Sequence, residues 1–533
     1  MHSQREPINV GADKQLFLDD QFFASSRGVE LTVNPPVDGG TAIRADRPWE
    51  SAHACGWCVV VPDEKAGNVK MYYEATAQMP YAEGELPQSG WLRSMCCAVS
   101  TDGVTWEKPD LGNYEFEGSR DNNIVLMGAA SADQDVKDGV IVMTEGRAYD
   151  QMGSVVIDDN DVPERRYKML FCGSECKMRA AYSPDGFTWT VANDWKPVSD
   201  QGADSGNIVL WDPNRGKWVG YFRAWDATRR VARVETDEFE KWPDRSADGV
   251  VLAPDEQDSY DTHLDGPFFI NGQNIDTGLK GLRYNPDGPL EEFMWFTDDV
   301  DVLDGVDFYN QPVTIYPYAS RAYIMPFTAF YHRANLLEIQ LAVSRDGIHW
   351  QRPGDRQPWV RMPPDEEGIH IMYCGPGVVR EGNRLYHYHS YNPIWHGGAK
   401  PGQYEPEPVA PHSGEVRRAV LRLDGYMSVD AGNLEGGFTT PPLIHNGKRL
   451  ELNVDTSASG WVKVELVDIH GRPIHGYRLD GYSLQDCDPI IANATNREVT
   501  WNGNADVSSL AGKPIRMHVR MRNAKLYAFQ FVD

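Results

Sequence analysis

Four times in the first 350 residues an apolar stretch runs into a short acidic turn and then a tryptophan. The copies place Ser100, Asp102, Gly103 and Trp106; Ser183, Asp185, Gly186 and Trp189; Glu235, Asp237 and Trp242; and Ser344, Asp346, Gly347 and Trp350. A degraded fifth copy follows at Asp424, Gly425 and Tyr426. An Asp-Gly pair favours a two-residue hairpin because both positions tolerate positive φ, and an aromatic after the turn can lock the hairpin onto its neighbour. Each copy therefore marks one sheet with the same internal corner. The marker aspartates stand 83, 52, 109 and 78 residues apart, which fits one four-stranded unit plus loops of variable length.

Reading outward from the corners gives strands at 57–61, 70–75, 95–100 and 105–108, then at 154–157, 167–172, 178–183 and 188–191. The third unit takes 208–211, 218–225, 230–235 and a short strand near Trp242. The fourth takes 313–316, 323–330, 338–344 and 349–352, and the fifth 369–374, 384–391, 416–423 and 426–429. Five such meanders close into a five-bladed β-propeller, because closure leaves only short edges exposed. From about residue 430 the strands at 449–454, 460–467 and 526–532 alternate apolar and polar residues without another corner, the pattern of a β-sandwich. The expected fold is all-β: a segment over 1–40 that lies along the propeller or completes its last blade, a five-bladed β-propeller over 41–430, and a C-terminal β-sandwich over 431–533. The insertions at 112–151 and 252–311 exceed ordinary connections and are expected to wall a pocket.

Composition narrows the partners. With 78 acidic against 51 basic residues the chain carries a formal charge of −27, which repels phosphate backbones and anionic membrane surfaces. Neither nucleic acid nor membrane is an expected partner. No apolar run approaches the roughly 18 residues of a membrane span, and the first residues lack a signal-peptide core. The chain as written reads as cytoplasmic, or as periplasmic or secreted if a signal has been removed. Its eight cysteines read as buried thiols. The pairs Cys55 with Cys58 and Cys172 with Cys176 lack a second pair at zinc-site spacing. Homo-oligomer contacts through the sandwich or the 252–311 insertion are compatible with this layout.

In a propeller, residues just before each first strand and at the end of each second strand converge on one mouth. The first set supplies Glu50, Asp150, Asp204, Asp307, Glu366 and Glu367; the second supplies Glu74, Arg223 and His389. Trp49, Trp57, Tyr73, Trp225, Tyr309 and Tyr373 surround them. Taken singly, Glu74 and Arg223 read as a buried ion pair, and His387 and His389 as satisfied core histidines. Taken together, carboxylates, an arginine, a histidine and aromatic plates are what sugar recognition uses. Two carboxylates flanking a glycosidic bond suffice for hydrolysis, and a third can tune the acid by like-charge repulsion. Carboxylates about 5 to 10 Å apart across an open pocket would favour an enzyme, whereas scattered or salt-bridged ones would favour a sugar-binding module. Dinucleotide, phosphate-loop, zincin and serine-hydrolase signatures are absent from the sequence.

With the corners, the strand over 341–350 and the tail from Arg449 to Phe531 in place, the chain resembles the five-bladed propeller glycoside hydrolases. This group contains invertases, levanases, arabinanases and arabinofuranosidases, and the layout is most similar to the invertase-like branch. The invertase patterns Asn-Asp-Pro-Asn-Gly, Arg-Asp-Pro and Glu-Cys are not matched in place; Glu175 and Cys176 fall inside the second unit. What the resemblance implies is a blade-one carboxylate as base or nucleophile, here Glu50, with Asp204 as stabiliser and Glu367 as acid. Glu74, Arg223, Asp307, His389, Trp49 and Trp225 would then shape the substrate subsite. No cofactor is required on this reading, although a structural Ca2+ on the axis occurs in related folds and suits an acidic mouth. The implied activity is exo-acting hydrolysis of a furanosidic or unusual plant or algal sugar. Arg223, Arg229 and Arg230 keep a phosphorylase or transglycosylase open, and a non-catalytic carbohydrate-binding propeller is the third reading. The corners also resemble the aspartate boxes of sialidases, without a matching arginine triad.

Overall fold

The computed structural model describes residues 6–79, 91–128, 149–173, 177–199, 201–202, 206–226, 228–258, 268–270, 273–275, 306–331, 336–363, 368–396, 410–469 and 481–533. Its corners are closed by side chains. Ser100 Oγ accepts the amides of Asp102 and Gly103, while Asp102 Oδ1 accepts those of Val104 and Thr105 at 2.7 and 2.8 Å. Ser183 with Asp185, and Ser344 with Asp346, repeat the arrangement. Only the glycines take positive φ, at 70°, 81° and 71° for Gly103, Gly186 and Gly347. The turn is therefore not the two-residue hairpin expected from Asp-Gly. The aspartate oxygen organises a longer loop and leaves positive φ to glycine alone.

These three corners staple their sheets to a neighbouring one. Tyr388 donates to the Gly103 carbonyl at 2.6 Å, Tyr72 to that of Gly186 at 2.8 Å and Tyr221 to that of Gly347 at 2.7 Å. Trp106, Trp189 and Trp350 stand edge-on to those same tyrosines at 5.5, 6.0 and 6.0 Å. The copy at Asp237 lacks the glycine, and the indole of its Trp242 donates to the nearby Phe239 carbonyl. At the fifth corner Tyr316 donates to Asp424 at 2.7 Å and meets Tyr426 edge-on.

These carboxylates also set an acid limit. The Thr105 and Val104 amides hold Asp102 below the usual carboxylate range. At Asp185 and Asp346 burial pulls upward, but the Thr188 and Phe187 amides and the His349 side chain and amide outweigh it. A depressed folded-state pKa contributes stability above the unfolded value, and that stability is lost as pH falls through the folded one. The protein is expected to weaken below about pH 4. Asp346→Asn should show a shallower acid limb in a urea-midpoint series, and a limb parallel to wild type would count against this assignment.

Five small antiparallel sheets follow one another. The first contains His53–Asp63, Asn68–Gln78, Trp91–Ser100 and Ile124–Met127, and the second Tyr149–Ile157, Tyr167–Gly173, Met178–Ser183 and Thr190–Val191. The third contains Ile208–Asp212, Lys217–Asp226, Thr228–Thr236 and Val250–Leu252. The fourth contains Val306–Asn310, Tyr323–Tyr331, Leu336–Ser344 and Trp350–Gln351, with Thr314–Ile315 beside the second of these. The fifth joins Val379–Glu381, Arg384–Tyr391 and Glu415–Arg422 to Val37–Arg44 from the start of the chain.

Three outer strands differ from expectation. Ile124–Met127 replaces 105–108, of which Glu107 makes only a bridge to Val99. Val250–Leu252 replaces the strand near Trp242. Val37–Arg44 replaces 426–429, while Met427–Ala431 pairs elsewhere. The reason is physical: a third strand offers an open edge that any extended segment can fill, and the corner does not dictate which one does. Most of the expected 112–151 and 252–311 walls lie outside the described residues.

Both faces of these sheets are covered. Tyr72 and Met95 share a core with Val155 and Met169, Leu170 with Val209 and Phe222, and Tyr221 with Phe308 and Met325. Ile339 and Leu341 pack with Cys374 and Leu385, and Tyr386 and Tyr388 with Met71 and Tyr73. Sheet five thus packs back on sheet one. Strands buried on both sides read as near-continuous apolar runs, as Tyr323–Tyr331 does.

Two further sheets enclose a separate core. One contains Glu30–Val33, Met427–Ala431, Ala524–Val532, Arg449–Asp455 and Asn493–Glu498; the other Ser25–Arg27, Gly436–Thr439, Arg516–Arg522 and Trp461–Val467. Leu450, Leu452 and Phe529 meet Val462, Val464 and Val519 between them, and Phe17 and Phe22 join from the N-terminal segment. Alternating burial along Trp461–Val467 and Arg516–Arg522 gives each strand one inward face. The helices are short 3-10 turns, and among the described residues none is long and apolar enough to cross a membrane. Cys58, Cys96, Cys97, Cys172, Cys374 and Cys487 are buried free thiols.

Candidate functional site

Side chains from four of the five sheets, or from the chain just ahead of them, meet around three near-parallel rings. Trp57 lies in the first sheet, Tyr309 in the fourth, and Tyr373 in the segment leading into the fifth. Trp57 and Tyr373 stack at 4.3 Å, Tyr309 and Tyr373 at 5.5 Å, and Trp57 and Tyr309 at 6.1 Å. From the third sheet, Arg223 sets its guanidinium 4.4 Å from the centre of the Tyr309 ring and donates to the Tyr309 carbonyl at 2.6 Å. Arg229 approaches the same ring at 4.8 Å and is ion-paired to Asp307 at 2.5 Å. His396 bonds the Tyr309 hydroxyl at 2.8 Å. The expected residues Arg223, Asp307, Trp57, Tyr309 and Tyr373 therefore come together.

Glu74 joins them over a glycine. It is 4% exposed, and a Cβ at Gly56, next to Trp57, would sit 2.7 Å from Glu74 Oε1. Gly206 fits equally closely: a Cβ there would lie 3.1 Å from Asn310 and 3.3 Å from the Trp57 ring. Asn310 holds the junction by donating to the Cys374 carbonyl and accepting from the Thr328 amide, both at 3.0 Å. Buried aromatic faces beside a carboxylate, a guanidinium and an imidazole can bind an apolar sugar face and its hydroxyls together.

Glu50 stands in another setting. It is fully buried, and its carboxylate accepts from the amides of Asp46 and Arg47, from the Tyr73 hydroxyl at 2.7 Å and from Lys108 at 2.8 Å on both oxygens. Asn123 bridges Tyr73 to Trp49, whose indole donates to it at 3.0 Å. Glu50, Tyr73 and Trp49 thus form one closed network inside the first sheet's core. His389 likewise faces elsewhere, into a cavity with Trp359 and Arg417. Asp204, Glu366 and Glu367 lie outside the described residues, as do the side chains of Asp150 and Trp225.

Sequence reasoning missed His396, Asn310 and Gly56, because nothing local distinguishes them from loop or strand residues. His53, near the first strand's start, is also buried; burial, then Arg93, brings its pKa down to about 4, so it is neutral at pH 7. Among the described residues no group of three or more His, Cys, Asp or Glu side chains is placed to hold a metal ion.

No family model and no curated protein matches the sequence. Among solved structures, the chain is similar to a glycosyl hydrolase from Bacteroides ovatus, at 13% identity and a TM-score of 0.38, over 77% of this chain and 96% of that one. A Bombyx mori GH32 β-fructofuranosidase matches at 8% identity and a TM-score of 0.38, over 92% and 94%. A fructofuranosidase from Schwanniomyces occidentalis matches at 9% identity and a TM-score of 0.36, over 92% and 98%. Likeness this remote assigns no activity, and the site is defined by its own side chains.

Proposed function

We propose that the five sheets are the blades of a five-bladed β-propeller followed by a β-sandwich, and that the protein is an exo-acting glycoside hydrolase for a furanosidic or unusual plant or algal sugar. The observation that supports this is the meeting of Trp57, Glu74, Arg223, Tyr309, Tyr373 and His396 from separated stretches of chain. In this reading the rings carry the apolar sugar face, and Arg223 and His396 orient the platform through Tyr309. Glu74 takes the role of base or nucleophile first given to Glu50, because a carboxylate saturated by five hydrogen bonds has no lone pair directed at a substrate. Asp204 and Glu367 remain the proposed stabiliser and acid.

Two observations favour other readings. Ion pairing of Glu50 with Lys108 and of Asp307 with Arg229 fits a sugar-binding module without catalysis. Two arginines over one tyrosine ring fit a phosphate site, hence a phosphorylase. A screen of aryl furanosides and pyranosides, with and without inorganic phosphate, separates all three. Phosphate-independent release of the phenol, lost in Asp204→Asn, is the expected result. Release only with phosphate would establish the phosphorylase, and sugar binding with no release would establish the binding module.

A further inference from the structure

The second sheet holds a tryptophan in a conformation that its side chain disfavours. After the outer strand Thr190–Val191 the chain turns through Asn193, Asp194 and Trp195, all at positive φ, of 53°, 49° and 65°. Asparagine and aspartate tolerate the left-handed region because their short polar side chains bond locally, but a bulky aromatic residue there is an outlier. Such strain persists only where the surroundings over-determine it, and it concentrates at ligand sites. Here Arg179, itself 2% exposed, fastens the turn by donating from Nε to the Trp195 carbonyl at 2.9 Å and from Nη1 to the Lys177 carbonyl at 3.0 Å. The Trp195 ring stands edge-on to Phe171 at 6.0 Å and is only half-buried. A strained ring, rigidly fastened yet open to solvent, points to a contact beyond the core.

Register brings that turn to the level of Glu74. Tyr72 crosses to the second sheet, donating to the Gly186 carbonyl and meeting Trp189, and Glu74, two residues on in the same strand, shares its face. Phe171 shares a core with Tyr72, so its face looks back at the first sheet. The levels agree as well. Glu74 pairs with Met95 and Cys172 with Met178, equally far from the corner serines Ser100 and Ser183. Phe171, next to Cys172, pairs with Arg179, the residue that fastens Trp195. Trp195 and the proposed base or nucleophile therefore border the same space between two sheets, and the Trp57 ring belongs to the same core. Trp57, Tyr309 and Tyr373 are buried, whereas Trp195 is half-buried. A sugar clasped by the buried rings would carry its substituent on the more open side, where Trp195 stands.

We propose that Trp195 is a specificity-determining residue that stacks on the aglycone, the group joined to the anomeric carbon of a sugar held by the stacked rings. The assignment rests on those rings as a sugar site, whatever chemistry follows there. The test presents each sugar of the screen as its 4-nitrophenyl and its methyl glycoside to wild type and to Trp195→Ala. For a sugar that wild type cleaves, kcat/KM of Trp195→Ala is expected to fall about tenfold on the 4-nitrophenyl form, the scale of one lost stacking contact, and to stay within about twofold on the methyl form. Trp195→Phe, which keeps a ring, should retain most of the aryl preference. A residue that merely packs on Phe171 would lower both forms alike, so equal losses, or no loss on either, would overturn the assignment. Wild type that cleaves nothing defeats the hydrolase reading alone. The two forms are then compared as ligands by calorimetry, where the same selective weakening is expected, and equal shifts or no binding would overturn the assignment. If Trp195→Ala does not fold, Trp195→Leu, which keeps an apolar side chain against Phe171, takes its place.

Discussion

Glu50→Gln is expected to destabilise the protein by about 3 kcal/mol without abolishing turnover per folded molecule. The carboxylate is fully buried against Lys108, whose own side chain is 8% exposed, so neutralising it strands a cation in the first sheet's core. Lys108 keeps Asp46 and the Arg44 carbonyl, which places the loss at the lower end for a broken buried pair. Adding Lys108→Met should recover part of the stability, because removing both charges together is far less costly than removing one. Denaturant unfolding of the single and double variants, beside kcat on whichever aryl glycoside the screen selects, checks this. A Glu50→Gln protein that melts like wild type but has lost kcat by four orders of magnitude would return Glu50 to the catalytic role.

Glu74→Gln is expected to do the opposite. Glutamine occupies the same space over Gly56, so the fold should hold while kcat falls by about 100-fold to 10,000-fold, the range for losing a catalytic acid or base. The split between constants carries the distinction. A carboxylate that only grips the sugar would, once neutralised, raise KM and leave kcat near wild type. Stopped assays and a melting curve on the same preparation give both readings.

The corners were legible because their chemistry is local: a serine, an aspartate and a glycine within four residues close their own hydrogen bonds. The apolar second strands were legible because burial on both faces favours a near-continuous apolar run, as over Tyr323–Tyr331. The outer strands were legible only in the second and fourth sheets; in the fifth, the partner of Glu415–Arg422 comes from residues 37–44 and no pattern within either announces the pairing. The site divides in the same way. Arg223, Asp307 and Tyr309 were found by their position at strand ends, and they meet. Glu50 looked like an available carboxylate because Lys108, its counter-ion, lies far along the chain. His389 shares the strand position of Glu74 and Arg223, but its side chain lies against the fourth sheet's trailing segment, next to Trp359.

The joint between Val37–Arg44 and Glu415–Arg422 governs the order of events during synthesis. A ribosome must deliver nearly four hundred residues between the two halves of the fifth sheet before either can find the other. Bringing such distant segments together costs about 5 kcal/mol of chain entropy, so early-made sheets wait with an unsealed seam. A nick between Arg44 and His53 would leave the opening strand joined only to the preceding residues, which Ser25–Arg27 and Glu30–Val33 anchor in the other two sheets, and fraying of its cut end would bare part of the Glu415–Arg422 edge as a template for intermolecular pairing.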